Sequence, residues 1–186
     1  MEAYRILGQV FAAQNRLDDA KRTYETQLAK DPNDVAATTM VGMIAAAQGD
    51  LTRARGAFEK AVAIDPRAAV ASNNLAYLDA DAGTNLDVAL NRAQTAKAAL
   101  PDDPVVDDTL GWVYVKRGLP ALAITPLGEA IKKDKANPVY HYHLGVAYAK
   151  AGDKDNARSA LQRALQLSTT FPDAADARRT LGSLGN

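Results

Sequence analysis

Few residues in this chain are of a type that carries out chemistry. The only two histidines, His141 and His143, are two positions apart. On a helix their side chains would point about 200° apart, so they could not bind one metal ion together. The chain has no cysteine, which excludes a thiolate metal site, a disulfide and a cysteine nucleophile. We therefore expect structural roles for both histidines and no metal site.

Carboxylates occur in two adjacent pairs, Asp102–Asp103 and Asp107–Asp108. Both pairs lie where a helix is expected to begin, and negative charge at that position complements the helix dipole. The sequence has no glycine-rich phosphate loop, no Gly-x-Ser-x-Gly turn and no His-Glu-x-x-His motif, which are the common signatures of catalytic sites. We predict that the protein is not an enzyme and uses no cofactor.

Composition indicates a folded chain without a strong electrostatic preference. Of 186 residues, 47% are hydrophobic and 24% are charged, and 22 lysines and arginines balance 22 aspartates and glutamates. This balance predicts no nucleic-acid partner. There is no apolar run of about eighteen residues, the length that a membrane-spanning helix needs, and we predict no direct membrane insertion. The chain as given should be soluble, cytoplasmic or periplasmic, with the compartment unknown.

The chain contains an internal repeat. The pattern L-G-x-x-Y-x-K-x-G occurs at residues 110–118 and again at 144–152. Upstream, a glycine or asparagine marks the same position at intervals of 34, 34, 35 and 34 residues, which gives five repeats. Both residue types favour the left-handed conformation that ends many helices. The five marker positions are Asn15, Gly49, Gly83, Gly118 and Gly152.

Within each repeat, the apolar residues follow helical spacing. In the first repeat one stripe begins at Tyr4 and includes Leu7, and after Asn15 a second stripe runs through Ala20 and Tyr24. Each repeat therefore predicts two helices that form a hairpin. Small residues, such as the glycine of the Leu-Gly pair, let the two helix backbones approach closely. The first three repeats end in proline, which does not continue a helix: Pro32, Pro66 and Pro101.

Two positions depart from this pattern. Asp79 stands in the third repeat where a bulky residue is usual, which predicts a loosely packed hairpin. Pro126 falls inside the expected second helix of the fourth repeat. An interior proline removes a backbone hydrogen bond, so we expect a bend between Leu122 and Pro126.

The order Tyr4-x2-Leu7-Gly8-x2-Phe11, then Ala20-x3-Tyr24, then Pro32 resembles the tetratricopeptide repeat (TPR), a 34-residue helix-turn-helix unit. We place the repeats at 1–34, 35–68, 69–103, 104–137 and 138–171, with a C-terminal capping helix in 172–186. The resemblance implies an all-α fold, in which antiparallel helix pairs form a right-handed superhelical solenoid. The first helices of the repeats would line a concave groove.

The resemblance also implies a function as a protein–protein interaction scaffold. We expect a partner polypeptide to bind in the concave groove, where exposed Tyr77, Trp112 and Tyr142 would be anchors. The alternative for Trp112 is that it is half buried between repeats and supports packing. The residues expected to contact the partner are Arg5, Gln9, Met43, Asn73, Tyr77, Asp108, Trp112, Lys116, Tyr142 and Lys150.

A second hypothesis is a structural repeat unit that assembles with copies of itself. No capping residue precedes the first repeat, so its outer face would be exposed, and homo-oligomers could form through this N-terminal end. We favour the explanation that the chain is a segment of a larger bacterial TPR protein, which would account for this exposed end. Similar bacterial proteins, with runs like Asp-Thr-Leu-Gly-Trp at 108–112, often belong to envelope, secretion or polysaccharide-export machinery.

Overall fold

The computed structural model describes residues 2 to 185, apart from the side chain of Glu2. This part of the chain contains eleven α-helices and no strand, which confirms the predicted all-α fold. The helices are α1 (Glu2–Ala13), α2 (Leu17–Lys30), α3 (Val35–Ala47), α4 (Leu51–Ile64), α5 (Ala69–Ala82), α6 (Leu86–Ala99), α7 (Pro104–Lys116), α8 (Pro120–Lys133), α9 (Pro138–Ala151), α10 (Lys154–Leu167) and α11 (Ala174–Ser183).

The helices fall into two compact units, divided within α5 between Leu78 and Asp79. In the N-terminal unit α1 packs on α2, α2 on α3, and α3 on α4. In the C-terminal unit α6 packs on α7, and the same sequential packing continues through α8, α9 and α10 to α11. Within each unit, these helices therefore pack mainly against their neighbours in sequence, as expected for a repeat fold.

Side-chain caps explain where several helices begin. An aspartate or asparagine precedes the first turn and accepts a hydrogen bond from a backbone N–H that has no partner within the helix. The capping residues are Asp34 of α3, Asp50 of α4, Asp103 of α7, Asn137 of α9 and Asp153 of α10.

The turns within the hairpins use the left-handed conformation that the sequence predicts. Asn15 has a φ of 57°, and the four marker glycines have φ between 68° and 83°. A residue with a Cβ is strained in this region, and glycine is not. The spacing of these residues therefore indicates the turns at which the chain reverses direction.

The close approach of paired helices depends on glycine. A methyl group at Gly42 of α3 would lie 2.6 Å from Cε1 of Phe58 on α4, and one at Gly145 of α9 would lie 2.6 Å from Cγ of Leu161 on α10. Both distances are far inside normal carbon–carbon contact, about 3.5–4.0 Å. This confirms that a glycine at this repeat position admits the partner helix.

The two departures from the repeat pattern are both accommodated. Helix α8 continues through Pro126 from Pro120 to Lys133. Asp79 is fully buried, and Nη1 of Arg92 on α6 donates to its Oδ2 at 2.8 Å. An ion pair thus occupies the position where other repeats place a bulky side chain.

Candidate partner-binding site

Five of the predicted contact residues belong to the N-terminal unit and are spread over α1, α3 and α5. Gln9 and Met43 are exposed, and Met43 keeps 40% of its surface accessible. Arg5 and Tyr77 are half-buried. Asn73 is buried, and its Oδ1 has no hydrogen-bond partner among the described residues.

The other five predicted contact residues lie on two neighbouring helices of the C-terminal unit. Asp108, Trp112 and Lys116 are on α7, and Tyr142 and Lys150 are on α9. Helix α9 contacts α7 and α11. We call the surface formed by these three helices the α7–α9–α11 surface.

An aromatic cluster packs these three helices together. Trp112 stacks on His143, with ring centroids 4.0 Å apart and planes 17° apart. Tyr142 lies 6.0 Å from Trp112 and 5.9 Å from Phe171, which precedes α11. Trp112 and Tyr142 are only 5% and 4% exposed, so the prediction that these two side chains are exposed is wrong. Trp112 packs against two rings of α9, and Tyr142 packs against Phe171. This burial is closer to the alternative that Trp112 supports packing.

His143 forms a buried pair with Asp108. Nδ1 of His143 lies 2.8 Å from Oδ1 and 3.0 Å from Oδ2 of Asp108. A carboxylate only accepts, so Nδ1 carries the proton of this hydrogen bond. Asp108 is 5% exposed and His143 is 1% exposed. The expected structural role of His143 fits this geometry, and Asp108 does more than complement the dipole of α7.

Asp107 has a different pair of partners. Its carboxylate is 1% exposed and lies 2.5 Å from Nζ of Lys97 on α6 and 2.7 Å from Nζ of Lys133 on α8. The hydrogen bond to Asp107 raises the pKa of Lys133 above its ordinary value. Asp107 therefore ties three helices together, a role that its position at a helix start did not indicate.

Tyr142 connects α9 to α11 through its hydroxyl group. The hydroxyl donates to Oδ2 of Asp176 at 2.5 Å. Burial raises the pKa of Tyr142 above its ordinary value, and the hydrogen bond to Asp176 adds to the shift. Asp176 also forms an ion pair with Arg179 on the same helix.

Lys116 lies above the aromatic cluster. Its Nζ is 4.8 Å from the ring centroid of Trp112, a cation–π distance. The same Nζ donates to the backbone oxygen of Asp81 at 3.2 Å and lies 3.6 Å from its carboxylate. Lys150 occupies the equivalent position of α9 and is exposed.

The carboxylate of Asp173 forms no hydrogen bond or ion pair with another described residue. It immediately precedes α11, it is half-buried, and its side chain makes no capping hydrogen bond. Burial raises the pKa of Asp173, and Asp81 and Asp176 raise it further, whereas His143 and Lys116 act in the opposite direction. Sequence reasoning missed this residue because segment 172–186 was assigned only a capping role.

Comparison with known protein families agrees with the helical hairpins seen in the structure. The sequence model of the tetratricopeptide repeat matches residues 5–69 and 109–175, which together exceed half of the chain. The chain belongs to the tetratricopeptide repeat family. None of the curated protein sequences matches the chain.

Solved structures similar to this TPR chain share its fold at low sequence identity. TTC0263, a TPR protein of Thermus thermophilus, is 22% identical with a TM-score of 0.69, covering 98% of this chain and 97% of that one. PilW, a type IV pilus biogenesis factor, is 16% identical with a TM-score of 0.75, covering 98% and 89%. YrrB, described as a TPR protein with an unusual peptide-binding site, is 19% identical with a TM-score of 0.65, covering 95% and 90%.

TPR proteins generally serve as protein–protein interaction scaffolds, and their repeats are non-catalytic. In residues 2–185 no cluster of three His, Asp or Glu side chains is arranged to hold a metal ion. None of the helices in the described part of the chain is both long and apolar enough to cross a membrane.

Proposed function

We propose that this TPR protein is a non-catalytic scaffold that binds a segment of another polypeptide at the α7–α9–α11 surface. The observation that carries the proposal is the half-buried carboxylate of Asp173, which has no hydrogen-bond or ion-pair partner within residues 2–185. Burying a charge without a partner is unfavourable, so a residue of this kind at a helix surface suggests a contact made by a ligand. YrrB, a TPR protein of similar fold with a peptide-binding site, supports the proposal.

The buried aromatic residues would act as rigid support for this contact. Trp112 and Tyr142 fix α7, α9 and α11 relative to one another, so the polar groups above them have defined positions. Rigid support lowers the entropic cost of binding. The charged groups at this surface are Lys150, Asp173 and Lys116, of which Lys116 already pairs with Asp81. In the N-terminal unit Arg5, Gln9, Met43, Asn73 and Tyr77 remain predicted contact residues.

The proposal is tested by affinity capture from a lysate of the source organism with three purified baits. The first is the native chain. The second carries Asp173→Lys and Lys150→Glu, which reverses two charges at the proposed surface and leaves the net charge unchanged. The third carries Glu129→Lys and Lys132→Glu on α8, where the two side chains form an exposed ion pair at 2.6 Å, so the swap preserves both the pair and the net charge.

We expect a protein retained by the native chain and by the α8 variant but lost from the Asp173/Lys150 variant. Equal far-UV circular dichroism of the three baits is the control for folding. Equal capture by all three baits would contradict binding at the α7–α9–α11 surface.

One observation favours a second function, self-association through α1. Ile6, Leu7 and Val10 are 50%, 45% and 44% exposed. The residue of α3 equivalent to Leu7 is Val41, which is 8% exposed because it packs in a cluster with Ala20 of α2. Helix α1 thus presents an apolar row at the position where a neighbouring hairpin covers α3, and a second copy could cover this row.

Sedimentation equilibrium of the native chain and of an Ile6→Glu, Val10→Glu variant tests this alternative. Concentration-dependent association that the variant abolishes would support it. A native chain that stays monomeric across the concentration range would exclude it.

A further inference from the structure

We propose that the outer face of α8 is a homodimer interface, at which two copies of this chain pair about a two-fold axis with their α8 helices antiparallel. The inference concerns other side chains than those of the partner site proposed above and does not depend on that proposal. It also differs from association through α1, because it uses a face in the interior of the repeat array.

Leu122 is exposed at a position where the other hairpins place a polar residue. It lies in the first turn of α8, and 55% of its surface is accessible. Counted from the left-handed residue of each hairpin turn, the equivalent residues are Asp19 of α2, Arg53 of α4, Asp87 of α6 and Asn156 of α10. Packing within a hairpin therefore does not require a leucine here. Leu119, directly before α8, is also exposed, so the apolar surface extends beyond one side chain.

An apolar hollow of about 430 Å³ lies beside Leu122. The residues that line it include Leu110 and Tyr114 of α7 and Leu122, Thr125 and Pro126 of α8. An exposed leucine next to such a hollow is a self-complementary arrangement. In a two-fold dimer the same patch of both subunits meets, so each Leu122 can enter the hollow of the other copy.

The charges that flank this face are complementary to those of a second copy. Residues 118–128 contain no charged residue, and the stretch is bounded by Arg117 and Glu129. When it pairs antiparallel with its own copy, Arg117 of each chain comes next to Glu129 of the other. The present partners of these two residues are Asp87 and Lys132, which are both exposed. Ion pairs at such exposed positions contribute little, so exchanging them at an interface costs little.

The overall charge also favours a second copy as the occupant. The chain has 22 basic and 22 acidic residues, so two copies approach each other without long-range repulsion. A strongly acidic or basic partner would find no matching charge along residues 118–128. The apolar patch is small, which predicts a weak, reversible dimer with a dissociation constant in the micromolar range.

The first experiment is sedimentation velocity of the full chain across the micromolar range, comparing the native protein with Leu122→Asp and the matched control Leu51→Asp. Leu51 begins α4 and is 53% exposed. Both substitutions place an aspartate in the first turn of a helix, where negative charge is favourable, so both variants should fold. Leu122→Asp should weaken the dimer about a hundredfold, roughly tenfold for each of the two leucines. Leu51→Asp should leave it unchanged.

A charge exchange tests the antiparallel arrangement with a readout that misfolding cannot imitate. Arg117→Glu and Glu129→Arg should each weaken the dimer about tenfold when analysed alone, because like charges then meet at both ends of the interface. Mixing the two variants should restore dimers, since every arginine then lies next to a glutamate of the other chain.

The results that overturn the inference are distinct. A native chain that stays monomeric across the micromolar range would exclude a second copy as the occupant of this face. A dimer that Leu122→Asp leaves intact, or that Leu51→Asp weakens equally, would show that another surface associates. Loss of the dimer only in the Ile6→Glu, Val10→Glu variant would assign it to α1. A mixture of the two charge variants that dimerises no better than either alone would refute the antiparallel pairing.

Discussion

Gly42→Ala should destabilise the N-terminal unit although alanine is the better helix former. The added methyl group would lie 2.6 Å from Cε1 and 2.7 Å from Cδ1 of Phe58, which is fully buried. These distances are about 1 Å shorter than a normal carbon–carbon contact. The ring can relieve the overlap only by moving within a cluster that includes Ala54, Ala61 and Leu75.

The expected change in the free energy of unfolding results from two opposing effects. Overpacking of a core costs about 1–3 kcal/mol, and replacing glycine by alanine in a helix gains up to about 1 kcal/mol. With the full helix gain subtracted, we expect Gly42→Ala to lower the free energy of unfolding by up to about 2 kcal/mol. Gly56 of α4 is the matched control, because it is exposed and a methyl group there would meet nothing within 4 Å. Gly56→Ala should stabilise the protein by about 0.5–1 kcal/mol.

Urea denaturation followed by far-UV circular dichroism measures both effects in one assay. We expect the urea midpoint to shift in opposite directions. It should fall for Gly42→Ala and rise for Gly56→Ala. If both substitutions stabilise the chain equally, close approach of α3 and α4 does not require glycine, and the packing argument is wrong.

Three further predictions concern the turns and the C-terminal unit. Gly152→Ala should lower the free energy of unfolding by about 1–2 kcal/mol, because φ is 83° there; an unchanged urea midpoint would contradict this. Tyr142→Phe should cost about 2 kcal/mol in the same assay, because it removes the hydrogen bond to Asp176; a loss below about 0.5 kcal/mol would mean that the bond contributes little. Asp173→Asn should raise the thermal midpoint at neutral pH, because the raised pKa of Asp173 means that folding disfavours its ionised form. That gain should shrink as the pH falls through the raised pKa and disappear below the ordinary value of 3.8, and a gain independent of pH would refute the explanation.

The fold could be predicted from the sequence because its determinants are local. A left-handed turn needs glycine or asparagine, and a close helix pair needs a small residue. Asn15, Gly42 and Gly152 meet these needs at fixed intervals. Recurrence of these residues at a nearly constant interval therefore leaves a signal that requires no knowledge of tertiary contacts.

The environment of the site could not be predicted in the same way. Trp112 has the helical position of an exposed residue, but its ring packs against Tyr142 and His143 of α9. The pairing of Asp108 with His143 joins residues 35 positions apart, about one repeat. Such pairings depend on how neighbouring hairpins pack, and repeat periodicity identifies the helices involved without identifying the side chains that meet.

Asp173 shows a further limit of sequence interpretation. Its residue type and position are those of an ordinary helix cap, and only the structure shows that it makes no capping bond. Its neighbours Asp81 and Asp176 come from different helices, 92 residues before it and 3 residues after it. An unpaired carboxylate is defined by the groups around it, and these are assembled by folding.

The most direct test of partner binding at the α7–α9–α11 surface is amide hydrogen–deuterium exchange of the full chain with and without the captured partner. We expect the bound partner to slow exchange in α7, α9 and the segment from Phe171 through α11, with little change in α8 and on the exposed side of α10. Protection confined to α1 and α2, or to α8, would place the partner elsewhere and contradict the proposal.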